Sequence, residues 1–86
     1  MQKHITAVMQ INAVLHGQHR IEYRFTPVKA ANPERNGFSV SKRVDGDRWR
    51  ARLRGKYIIG SLDYIKDKML HNVQANDHII NAEWLS

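Results

Sequence analysis

The sequence predicts an α+β domain, an antiparallel sheet of about five strands with one helix packed on one face. Three observations predict it. Apolar and polar residues alternate with period two through residues 5–15, 20–26 and 48–54, the signature of strands with one buried face. Turn-forming residues separate these runs. One later stretch, residues 61–73, changes to helical spacing.

The first run sets Ile5, Ala7, Met9, Ile11, Ala13 and Leu15 against Thr6, Gln10, Asn12 and His16. Alanine and methionine also favour helices, so the helical alternative stays open here. The strand reading is preferred because the next run matches it. His16-Gly17-Gln18-His19 supplies a turn, and Ile21, Tyr23 and Phe25 then alternate with Arg20, Glu22, Arg24 and Thr26. Pro27 cannot donate to a ladder and is expected to end this strand, closing a hairpin over residues 5–27. Residues 29–37, with Pro33 and Asn36-Gly37, read as a loop.

Residues 37–73 read as a basic three-stranded meander followed by the helix. Phe38, Val40 and Val44 lie on its first strand, and Asp45-Gly46-Asp47 makes a tight turn in which glycine accepts a positive φ. Arg48-Trp49-Arg50-Ala51-Arg52-Leu53-Arg54 is the strictest alternation in the chain. Gly55-Lys56 allows a second turn before a strand over residues 57–62. Ser61 or Asp63 can cap the helix, whose stripe is Ile65, Met69, Leu70 and Val73. Ile79, Ile80, Trp84 and Leu85 predict that the tail, residues 78–86, docks on the core. The 86 residues thus form a single domain.

Charge is distributed unevenly. Residues 20–56 carry all eight arginines with Lys29, Lys42 and Lys56, against Glu22, Glu34, Asp45 and Asp47. The rest of the chain is slightly acidic, so the net charge of +6 belongs to this stretch. On a strand, Arg48, Arg50, Arg52 and Arg54 share a face at spacings of about 6.6 Å, where they repel unless an anion is near. Trp49 and Leu53 point the other way, which places Trp49 under the helix. An aromatic-free basic face favours groove or backbone contact over base stacking. Lysine-rich edges guard against aggregation, but arginine's planar fork suits phosphate and carboxylate.

Gly37, Trp49-x-Ala51-x-Leu53, Gly55-Lys56 and Ile59-Gly60-Ser61-Leu62 before an amphipathic helix resemble the three-stranded DNA-binding domain of ethylene-response factors and the amino-terminal domain of phage tyrosine integrases. The sequence departs from that pattern at Gly60-Ser61-Leu62, where the family has Gly-Thr-Phe, and in a helix that is not alanine-rich. The resemblance implies a sheet laid in the major groove. Arg48, Arg50, Arg52 and Arg54 would be its contact residues, with Arg43 and Lys56 on phosphate.

The chemistry of catalysis has no foothold in the sequence. His16 and His19 flank a turn glycine without a third ligand at a recognisable spacing, and the carboxylates are scattered. No phosphate loop or nucleophile motif is present. The chain has no cysteine, no apolar run of membrane length and no leader-like amino terminus, and is read as cytoplasmic, without metal or cofactor. The expected function is that of a small basic DNA-binding protein, not an enzyme, with a phage or mobile-element regulatory or recombination accessory role. The alternative is a phage-type inhibitor or adaptor that docks the same basic face on an acidic host protein. A homodimer through the amino-terminal strand is the third arrangement.

Overall fold

The computed structural model describes residues 4–51 and 56–85, with residue 51 described in its backbone alone. Strand β1 (Ile5–Ala13) pairs antiparallel with β2 (Gly17–Val28), and β2 with β3 (Gly37–Val44). Two short strands follow, β4 (Arg50–Ala51) and β5 (Ile58–Ile59), then helix α1 (Leu62–Gln74) and β6 (Ile79–Trp84). The sheet order is β4-β3-β2-β1-β6, with β5 also on β3. This is the expected α+β architecture of an antiparallel sheet and one helix.

Period two decides what each strand buries. Ala7, Met9 and Ile11 of β1 pair in register with Tyr23, Ile21 and His19 of β2, and Phe25 stands opposite Val40. Their buried side chains meet Ile65 and Met69 of α1 and Ala82 of β6 in one core. Phe25, Met9 and Ile65 are its fully buried large side chains. Ser61 caps α1, its hydroxyl accepting from the Tyr64 N–H at 3.2 Å. Leu70 and Val73 complete the helix stripe at partial burial.

Residues 5–13 form the strand that the sequence reading prefers, which closes the helix alternative. Several other expectations are corrected. Pro27 does not end β2, which runs on to Val28 with Pro27 in register with Phe38 and Val28 with Gly37 of β3. Proline removes one ladder donor, and near the end of a strand the pairing of the residues beside it is kept. The strand expected over residues 57–62 shortens to Ile58–Ile59, since Ser61 is committed to the helix cap. The meander order is also different: β5 lies on the same edge of β3 as β4, pairing Gly37 with Ile59 and Phe38 with Ile58. A Cβ at Gly37 would stand 1.9 Å from the Ile58 carbonyl oxygen, so the β3–β5 approach requires glycine there.

The docked tail is a sixth strand. Met9, Gln10, Ile11 and Asn12 pair with Trp84, Glu83, Ala82 and Asn81, and Ile80 is the extra residue of a bulge before Ala13 meets Ile79. Trp84 packs edge-on to Tyr23 at 5.3 Å and lies 6.4 Å from Phe25. Among the described residues, no helix is long and apolar enough to cross a membrane.

Candidate functional site

The β3–β4 connection determines where the basic side chains point. Asp45 (φ 52°) and Gly46 (φ 79°) are the central residues of the turn, closed by the Asp47 N–H to the Val44 carbonyl at 3.0 Å. Two consecutive positive φ values give a turn whose twist matches paired strands. Continued directly, that turn would set Trp49 opposite Lys42. Instead Lys42 pairs with Arg50 and Ser41 with Ala51, so β4 carries one residue more than the turn requires. A shift of one residue exchanges the two faces of a strand.

This shift overturns two expectations. Arg50 lies on the helix side of the sheet edge with Lys42, not on the face away from the helix. Trp49 is not under α1 but lies against Arg24 and Arg43, whose side chains project from the face that no helix covers. Of the other predicted contact residues, Arg48 is exposed in the segment leading to β4, and Lys56 is exposed just before β5. Arg52 and Arg54 lie outside the described residues. The structure therefore sets Arg43 and Arg50, two of the predicted contact residues, on opposite faces of one edge.

On the open face, the guanidinium carbons of Arg24 and Arg43 stand 4.1 and 4.9 Å from the centre of the Trp49 ring. At these distances cation–π attraction draws both groups to the indole ring. Glu22, directly across from Arg43, accepts from its Nη2 at 2.8 Å. The Arg43 Nε–H is covered and has no acceptor among the described residues. Two guanidinium groups thus share one aromatic ring, and Glu22 neutralises one of them.

On the helix side, Lys42 and Arg50 border a cleft of about 440 Å³. Its floor is Ile11, Ile21 and Tyr23, and α1 contributes Met69 and Val73 to its wall. No carboxylate lines it among the described residues. Cations over an apolar floor suit an anionic group attached to an apolar body.

The turn is fastened to the far end of β2. The Asp45 carboxylate accepts from the Arg20 N–H at 2.9 Å and meets His19 Nδ1 at 2.5 Å. The backbone hydrogen bond first, and then the one to His19, hold the Asp45 pKa below its ordinary 3.8. His16 lies 6.1 Å from His19 between ring centres, but no group of three or more metal-ligating side chains occurs among the described residues.

Sequence reasoning missed Arg24 and Lys42. Arg24 alternates with Tyr23 and Phe25, so the period that found the core also marked it as open-face, but a single arginine among polar neighbours carried no separate signal. Lys42 interrupts an apolar row on β3 and marked the place where the core gives way to the cleft. No family model, curated protein or solved structure matches the chain.

Proposed function

We propose that the chain is a small nucleic-acid-binding protein, not an enzyme, that seats phosphates along its β3–β4 edge. The observation that carries this reading is the direct cross-strand pairing of Lys42 with Arg50. Like charges directly opposite each other destabilise a sheet, and among the described residues no carboxylate lines their cleft to relieve them. An anion supplied from outside does so. Arg24 and Arg43 extend the same demand to the other face, where Glu22 is paired with Arg43. DNA is the target class, consistent with the resemblance of residues 37–73 to sheet-type DNA-binding domains.

The test is fluorescence-anisotropy titration of labelled random-sequence duplex DNA. Engagement of four phosphates weakens binding on the order of a hundredfold between about 50 and 200 mM salt. The folded Arg48→Glu/Arg50→Glu variant should lose most of this affinity. Absence of binding by the folded protein at the lower salt excludes duplex DNA, and absence of binding to a single strand as well overturns the reading.

The cleft favours one second reading, an acidic protein that places an apolar side chain against Ile11, Ile21 and Tyr23 while its carboxylates meet Lys42 and Arg50. Affinity retained for an acidic protein by a chain that ignores DNA would select it.

A further inference from the structure

The exchange of faces at β4 changes which nucleic acid the site suits. A duplex hides the flat faces of its bases within the stack, and reading it requires side chains that reach into a major groove about 8.5 Å deep. Arg24 and Arg43 do not project in that way. Their guanidinium carbons stand 4.1 and 4.9 Å from the Trp49 ring centre, and Arg43 is also bound by Glu22. What they present is a cation–aromatic cluster at the edge of a sheet face. Around it stand Ser41, cross-strand from Arg24, and Thr26 and Ser39, a registered pair beside them. Helix α1 packs on the opposite side through Ile65 and Met69.

An unpaired nucleotide matches both parts of this site. Its base has an open π-face that can stack on an aromatic ring or a guanidinium group, and its phosphate can accept from N–H groups that the cluster leaves at its rim. Charge points the same way. Glu22 is bound to Arg43, and among the described residues no carboxylate ion pair engages Arg24. A partner that brings one negative charge per residue along a flexible backbone can neutralise Arg24 without lifting either guanidinium from the ring. A rigid duplex cannot place a phosphate there and a base on the cluster together.

Resting on the nucleic-acid reading above, we infer that the open face binds single-stranded nucleic acid, with an unpaired base stacking on the cluster of Arg24, Trp49 and Arg43 and its phosphate held by Arg24. Lys42 and Arg50, on the other face of the same edge, then engage the backbone as it leaves.

The experiment uses a Trp84→Phe protein, in which Trp49 is the one remaining tryptophan, with folding confirmed by circular dichroism. It is titrated with an oligothymidylate of about twelve nucleotides, within the usual site size, and with the duplex that strand forms with its complement. Quenching of Trp49 by the single strand and about tenfold tighter binding than to the duplex are expected from one stacked base. Trp49→Ala should bring single-strand affinity down by about the same factor while changing duplex affinity less than about twofold. Trp49→Phe, which keeps an aromatic ring, should retain part of the preference. Equal affinity for the two probes, with Trp49 emission unchanged, overturns the inference and leaves phosphate binding intact. Binding of neither probe removes the nucleic-acid reading itself.

Discussion

The β1–β2 hairpin and the β3–β4 edge are both antiparallel pairs, yet they are built for opposite purposes. The hairpin holds nine registered pairs, from Ile5–Phe25 to Ala13–Gly17, and sends Ala7, Met9, Ile11, Ile21, Tyr23 and Phe25 into the core at every second position. Among the described residues the β3–β4 pairing sets Lys42 against Arg50, and the edge presents charge on both of its faces. Stability is concentrated where alternation matches burial, and charge where the sheet extends beyond its core. A domain of this size has room for both only because they occupy different strands.

The comparison breaks most visibly at Phe25. Phe25→Ala should lower unfolding stability by about 3–5 kcal/mol, a large part of what a small domain has, as read from the urea midpoint. Gly37→Ala is expected to cost about 1–3 kcal/mol in the same measurement, because the added methyl meets the β5 backbone, not a side chain that can swing away. The Arg48→Glu/Arg50→Glu variant sharpens the contrast: its stability should stay within about 0.5 kcal/mol of the parent. A large loss there would show that the basic edge is part of the structural frame.

The smallest effect concerns Asp45. Because its folded pKa lies below the ordinary 3.8, its hydrogen bonds stabilise the protein above that value, and the contribution fades as pH falls through the folded pKa. Melting temperature followed from neutral pH to below 3.8 should therefore decline less for Asp45→Asn than for the parent. Asparagine tolerates the positive φ at this position, so the turn itself is kept. Parallel decline in both proteins would show that the carboxylate does not fasten the turn.

How far the sequence disclosed this structure differs between the same two regions. In the hairpin, Met9, Ile21, Tyr23 and Phe25 announced their buried face through period two, and Ile65 and Met69 announced the helix that covers it. At the edge, period two correctly set Trp49 and Arg50 on opposite faces but could not say which face was which. One extra residue between the Val44–Asp47 turn and Arg50 decides that, and such an insertion leaves the local alternation untouched. The strand Ile79–Trp84 was illegible for a related reason, since its bulge at Ile80 interrupts the period and leaves that side chain 70% exposed. The β5 pairing depends on a long-range approach at Gly37 that no local pattern encodes.

The pairing of β1 with β6 also bears on how the protein is made. A chain synthesised from its amino terminus acquires β2 almost at once, but residues 14–78 must all follow before β6 begins. At about 5–20 residues per second, the far edge of β1 waits roughly 3–15 seconds for its neighbour. During that interval the edge bearing Met9 and Ile11 is a template on which two nascent copies could join. Yield of correctly assembled protein should thus depend on how closely ribosomes crowd the message, and slower, sparser translation should favour each chain finding its own last strand.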